Sequence, residues 1–197
     1  MNSLLNNCPT YVINLKERND KKKNIEKIFD KKKIKFNFFR PNKHENPKRG
    51  CLEFHLTLIQ NAIQEGYSKI LIFEDDVKKY RKFPTSIEIP DNCDLLYIGL
   101  SQWGMTDAEN GVNNSVCYND IDNHIIRIFN MLSLHGIMIC SLRGLLSLQK
   151  CLLEDFYKNQ GWDRSICYIQ PYLNVYALKE PLVYQYSKLG GEELYTK

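Results

Sequence analysis

Apolar residues fall along the chain in two alternating rhythms. Continuous runs of strand length stand at Thr10 to Leu15, Lys69 to Phe73, Asp94 to Ile98 and Gly136 to Ser141, rich in β-branched and aromatic residues. Between them apolar positions recur at helical spacing. Ile25, Ile28 and Phe29 follow a cap at Asn19 or Asp20, and Leu52, Leu56, Ile59 and Ile63 lead up to Gly66. Leu145 to Phe156 is a further amphipathic stretch. Lys35 to Phe39 reads as another strand, and Arg40 to Arg49, polar with two prolines, as a loop. Tyr172 to Leu178 and Leu182 to Tyr186 are late strands separated by Pro181. The least regular part, Ser101 to Phe129, carries turn signals at Gly104, Gly111 and Asn113-Asn114 and reads as an excursion with a short hairpin.

Runs that do not alternate suit central strands covered on both faces. Strands alternating with helices predict an α/β sandwich, one domain over residues 1–197, with a mostly parallel central sheet flanked by helices. A chain of 197 residues can bury a core without staples. The net charge of +4 is compatible with anionic ligands but points to neither DNA nor RNA. The basic stretch Lys16 to Lys35 is interleaved with Glu17, Asp20, Glu26 and Asp30, so it reads as a solvated helix face, and no nucleic-acid partner is expected. None of the seven cysteines forms a Cys-x-x-Cys pair, so neither a zinc site nor a redox motif is expected. No window approaches a membrane span, and Met1 to Asn7 lacks the features of a secretory signal. A reducing, cytoplasmic setting is the expectation. No Gly-x-Gly-x-x-Gly, Walker-type loop, His-Glu-x-x-His or serine elbow is present.

The strongest chemical signal is Phe73-Glu74-Asp75-Asp76-Val77, three carboxylates at the carboxyl end of a buried run. Open α/β sheets place their ligand crevices there. Adjacent like charges repel, and a divalent cation among them relieves the repulsion. Oxygen donors suit Mn²⁺ or Mg²⁺, which in turn neutralises a diphosphate. The bland alternative is a solvated acidic turn.

Beyond the acidic run, a series of short blocks stands in order. They are Tyr11-Val12-Ile13-Asn14-Leu15-Lys16-Glu17-Arg18, Gly50-Cys51-Leu52-Glu53-Phe54-His55, Ile70 to Val77, Asp94 to Gly99, His135 to Leu146, Trp162-Asp163, and Tyr176 to Gln185 around Pro181. Together they resemble glycosyltransferase family 25, the group of lipooligosaccharide galactosyltransferases and collagen-type galactosyltransferases. The resemblance spans residues 11 to 187.

That resemblance implies a GT-A-like, nucleotide-sugar-binding fold and an inverting, metal-dependent hexosyl transfer. The donor would be UDP-galactose or UDP-glucose, and the acceptor a lipooligosaccharide sugar, another glycan or a hydroxylysine in a collagen-like chain. Glu74 and Asp76 match the metal-binding acidic element, with Asp76 the direct contact. Asp75 is placed on the donor side or, pointing the opposite way along a continuing strand, is structural. Asn14 and Arg18 fall on the nucleotide side, or are a turn residue and a surface charge. Gln185 or Ser187 is left to complete the diphosphate site. Asp163 is the candidate base, or else a helix N-cap. His55 and His135 are site or core histidines, and Trp103 and Trp162 are sugar platforms or core tryptophans. The chain departs from the family pattern at Phe54, where a serine is usual, and no histidine follows His135. The remaining alternative is a catalytically silent module of the same fold that binds a nucleotide-sugar or glycan.

Overall fold

The computed structural model describes residues 2–4, 8–29, 34–106, 112–113, 115–158, 161–187 and 191–192. The first half comprises β1 (Asn2–Leu4), β2 (Thr10–Ile13), α1 (Asn19–Ile28), β3 (Asn37–Phe39), α2 (Pro47–Gln64), β4 (Ile70–Glu74), β5 (Val77–Lys79), β6 (Ser86–Glu88) and β7 (Leu95–Tyr97). After these come β8 (Gly104–Met105), β9 (Val112–Asn113), β10 (Cys117–Asp120), β11 (Ile125–Asn130) and β12 (Gly136–Ile139). The remaining elements are α3 (Leu142–Lys158), α4 (Trp162–Ile169), β13 (Val175–Leu178), β14 (Val183–Ser187) and β15 (Gly191–Glu192).

Eight strands form the central sheet in the order β10-β11-β13-β7-β12-β4-β2-β3. Strand β13 runs parallel to β7, and β4, β2 and β3 are mutually parallel along their shared edges. Only β11 and β12 are reversed, so six of the eight strands point the same way and the sheet is mostly parallel. The central strand β4 shows why its sequence does not alternate. Ile70 and Ile72 pack with Leu56 and Ile59 of α2 and Leu145 and Leu148 of α3, while Leu71 and Phe73 pack on the other face with Ile25, Phe29 and Val77. Both faces are covered, and each fully buried aliphatic or aromatic side chain contributes about 1.5–3 kcal/mol.

Several boundaries differ from expectation, two of them for reasons visible in the local hydrogen bonds. Helix α2 begins at Pro47, not Leu52, because Asn46 caps it by accepting hydrogen bonds from the Lys48 and Arg49 amides, and Pro47 occupies the first turn, where no N–H is needed. The loop expected over 40–49 therefore ends at residue 46. Within the irregular excursion, Ile125 to Asn130 is a full member of the central sheet. Its entry is an Asx turn: Asp122 Oδ1 accepts from the amides of His124 (2.6 Å) and Ile125 (2.9 Å), closing the β10–β11 hairpin. Gly111 and Asn114, two of the expected turn signals there, lie outside the described residues.

Asp94 ties the layers together just before β7. Its buried carboxylate accepts from Ser141 Oγ (2.7 Å) ahead of α3, from Arg143 Nη1 (3.0 Å) within it, and from the Asn174 amide (2.9 Å) leading into β13. Asp94→Ala leaves two of these donors without a partner at a buried junction. We expect it to lower the unfolding free energy by about 2–4 kcal/mol in urea titrations, well beyond what an exposed ion pair contributes.

Candidate functional site

The register of the strands builds the site. Strands β2 and β4 are parallel with Ile13 opposite Glu74, so their carboxyl ends are flush and the next residues, Asn14 and Asp75, emerge side by side. Asn14 Nδ2 donates to Asp75 Oδ2 at 2.8 Å and to the Arg18 carbonyl at 2.9 Å. On the other flank, β14 pairs with β5 so that Gln185 lies opposite Val77. Gln185 Nε2 consequently reaches Asp76 Oδ2 at 2.8 Å.

Strand geometry ends at Glu74, and Asp75 and Asp76 form a turn. The opposite orientation considered for Asp75 on a continuing strand therefore does not apply, because the strand stops before it. Lys21 Nζ lies 3.2 Å from Asp75 and 3.7 Å from Asp76, an ammonium shared by both. Lys21 belongs to the stretch read as a solvated helix face; α1 starts close to the end of β2, so a residue in its first turn reaches back over the acidic run. Arg18, at the mouth, forms a two-point ion pair with the exposed Asp20.

Glu74 keeps the parity of Ile70 and Ile72 and faces α2. Its Oε1 accepts from the Cys51 thiol at 3.7 Å and lies 4.0 Å from His55 Nε2. Burial first, and then the charge of Asp76, push the Glu74 carboxyl up to about 8. His55 is 1% exposed and its Nδ1 lies 2.9 Å from the Cys51 carbonyl. A carbonyl only accepts, so Nδ1 carries the proton and Nε2 presents a lone pair. The Trp162 ring lies against the imidazole, with centroids 3.8 Å apart. Burial drives His55 down to about 4. His135 is also buried and also driven down to about 4 by burial, partly offset by Asp76. Its Nδ1 is hydrogen-bonded to Ser133 Oγ, and its ring fills the space left by Gly99, where a Cβ would stand 2.2 Å from Nε2.

Two cavities meet at this point. The first, about 270 Å³, is lined by Arg18, Lys21, Lys43, His44 and the acidic run. Gly50 makes room for its outer wall, since a Cβ there would meet His44 Cβ at 2.6 Å. The second, about 490 Å³, is lined by Ser133, Trp162, Asp163, Arg164 and Gln185. Cys51 and Glu74 belong to both. A larger cavity of about 610 Å³ between α3 and α4 contains none of these groups. Asp163 is the second residue of α4 and Gly161 occupies the cap position, so the capping role considered for Asp163 is not the one it takes. Burial raises its pKa. Trp103 lies half-buried in a turn whose carbonyl accepts from the Leu132 amide, and it lines neither of the two cavities.

Among the described residues, four buried side-chain polar atoms without a hydrogen-bond partner surround the acidic run: Asn14 Oδ1, His55 Nε2, Asp76 Oδ1 and His135 Nε2. Buried polar atoms are ordinarily satisfied, and each one left over costs about 1–3 kcal/mol. Their concentration here makes this the candidate site of the fold. Sequence reasoning had named these four residues but missed Lys21, Lys43, His44 and Cys51, which have only their positions in the folded chain to distinguish them.

No protein-family model matches the chain, and no curated protein matches it. Among solved structures, the chain is similar to apo UDP-glucose pyrophosphorylase, with a TM-score of 0.48 and 9% identity over 90% of this chain and 76% of the other. It is similar to a nucleoside-diphosphate-sugar pyrophosphorylase from Vibrio cholerae RC9, with a TM-score of 0.45 and 13% identity over 88% and 73%. A protein from STIV gives a TM-score of 0.41 and 12% identity over 91% and 86%. No helix among the described residues is long and apolar enough to cross a membrane.

The titrating groups give a pH profile with a definite sign. Glu74, raised from 4.5 to about 8, keeps its proton in the folded state while the unfolded chain loses it. Its contribution is present below pH 4.5 and is lost as pH rises to about 8. His55 and His135, lowered from 6.5 to about 4, act oppositely and destabilise as pH falls below 6.5. Unfolding free energy should therefore decline between pH 6.5 and 8, and Glu74→Gln should abolish that decline in denaturant titrations across the window. An undiminished decline in the variant would assign it to other groups.

Proposed function

We propose that the protein is a metal-dependent glycosyltransferase that moves galactose or glucose from a UDP-sugar to a glycan or hydroxylysine-type acceptor. The observation that supports this most is the meeting of two cavities at Glu74, one rimmed by cations and the other holding Asp163, with unsatisfied polar atoms gathered between them. Two substrates that must react need two adjoining pockets and a shared wall. The ordered resemblance to family 25 supplies the reaction class.

The residues fit a Mn²⁺ or Mg²⁺ ion held by Asp76 with Glu74. Asp76 Oδ1 is buried without a partner, and its charge is a main reason Glu74 resists ionisation. Such a cation neutralises the donor diphosphate and stabilises the leaving nucleotide. Asn14, whose Oδ1 has no partner, accepts a hydrogen bond from the uracil or ribose. Arg18 and Lys21 release their present carboxylates to take phosphate oxygens. Gln185 holds Asp76 in place through its 2.8 Å hydrogen bond. Asp163, its pKa raised by burial, takes the proton from the acceptor hydroxyl as that oxygen bonds to the anomeric carbon and the bond to phosphate breaks, with inversion. Trp162 packs against the acceptor sugar while its ring fixes His55.

A second reading has its own observation. Lys21 already stands across Asp75 and Asp76, so an ammonium supplies part of the charge a cation would bring. That favours a silent nucleotide-sugar-binding module, or metal-independent binding. Thermal stabilisation by UDP-galactose and UDP-glucose, each with and without Mn²⁺, separates the readings. The transferase reading expects a Mn²⁺-dependent rise in Tm that disappears in Asp76→Ala. A rise indifferent to Mn²⁺ would remove the metal from Asp76, and no rise with any donor would sink donor binding altogether. For the chemical step, Asp163→Asn should lower transfer or donor hydrolysis by about 100-fold or more while leaving the donor-induced rise in Tm in place.

A further inference from the structure

We propose that Cys51, His55 and Glu74 form a binding site for a borderline-soft divalent cation of the Zn²⁺ class, with its open position at the junction of the two cavities. The inference does not require the transferase reading, although Glu74 is a metal ligand in both.

Its donors come from two elements. Cys51 and His55 are four residues apart on α2 and so share one face of the helix. Glu74 ends β4 and faces that helix. One ligand atom from each of the three lies within 4.8 Å of the others. The Cys51 Sγ to Glu74 Oε1 distance is 3.7 Å, and His55 Nε2 to Glu74 Oε1 is 4.0 Å. Tetrahedral zinc, with bonds of about 2.0–2.3 Å, holds its donors about 3.3–3.8 Å apart, so the set closes on an ion with side-chain adjustments of about 1 Å or less.

Independent of the cluster itself, His55 points to a ligand. The residue is 1% exposed, and its Nε2 has no hydrogen-bond partner. Its Nδ1–H is committed to the Cys51 carbonyl, the arrangement that fixes tautomer and ring orientation in metal-binding histidines. Trp162 packs against the ring, with centroids 3.8 Å apart, and confines it. Among the described residues, nothing uses the lone pair that this geometry presents.

Donor chemistry selects the ion. Thiolate, imidazole and carboxylate together suit Zn²⁺, or Co²⁺ in its place, better than Mg²⁺ or Mn²⁺, which prefer all-oxygen sets. A Cys⁻/Glu⁻ pair also balances a dication, removing the repulsion between Glu74 and Asp76. Three protein ligands leave a fourth position, and Cys51 and Glu74 line both cavities, so that position is open to whatever occupies them. The absence of a Cys-x-x-Cys spacing had argued against zinc, but a Cys-x-x-x-His helix face completed by a strand-end carboxylate is not visible as a local motif.

Co²⁺ titration of the full chain tests this. The expected result is a near-ultraviolet thiolate-to-metal charge-transfer band with intense tetrahedral visible bands, displaced by Zn²⁺. Cys51→Ser should abolish the charge-transfer band, and His55→Gln should weaken Co²⁺ binding at least about tenfold. Asp76→Ala should keep the band. The wild-type titration by itself suffices to overturn the proposal, even where a variant fails to fold. Absence of a thiolate band, or a band that survives Cys51→Ser, would overturn the proposal. A Mn²⁺-dependent donor shift without a thiolate band overturns this site and leaves the transferase standing. A thiolate band without any donor shift does the reverse.

Discussion

Three consecutive carboxylates leaving a fully buried strand are the constraint around which this molecule is arranged. Residues before Glu74 are sealed on both faces, so the first charge appears at the edge of the core, where Glu74 is only partly exposed. Left together, Glu74, Asp75 and Asp76 would repel at low effective dielectric, and each has been given a different answer. Asp75 receives Asn14 and Lys21; Asp76 receives Gln185 and a share of Lys21. Glu74 receives only a thiol and a neutral imidazole, and so it keeps a proton. The compensation is complete at one carboxylate, partial at the second and least at the third.

That gradient follows from topology. Asn14 and Gln185 reach the acidic run because parallel β2–β4 and antiparallel β14–β5 pairings fix which residues stand level with it. Neither partner is adjustable, since a register shift would turn each strand's core face outward. Glu74, by contrast, answers to α2, and a helix brings two side chains four residues apart to one point. Rigid strands thus supply the hydrogen-bonded supports, and the helix supplies the thiol and the imidazole.

The layered α/β architecture was legible from the continuous apolar runs of β4, β7 and β12, because burial on both faces leaves a compositional mark. The acidic run was legible as a candidate site because it stands directly after such a run, at the carboxyl end of a central strand, although a solvated turn reads the same way. Helix α2 was placed five residues late because its start is written in a cap and a proline, not in apolar spacing. Parity along the strand does not reach Asp75 because the strand stops one residue earlier. Lys21 and Cys51 were illegible for a deeper reason. Each acquires its role from a residue more than twenty positions away, and nothing in its own neighbourhood distinguishes a solvated lysine or a buried thiol from one aimed at a carboxylate.

Stability and function pull against each other at this corner. Four unsatisfied polar atoms and a partly buried, poorly compensated acid are costs that a protein selected only for stability would remove with a few apolar substitutions. Two features hold them in place. His135 is held by Ser133 and by its close fit against Gly99, and His55 by its own helix carbonyl and Trp162. Because both imidazoles are held in this way, the cost is stored as preorganisation, and a ligand meets donors that need little further ordering. Glu74 gives the arrangement its sensitivity. It lies between the orphaned imidazole of His55 and the orphaned carboxylate oxygen of Asp76, so a cation at either neighbour changes the charge state of the wall that both cavities share.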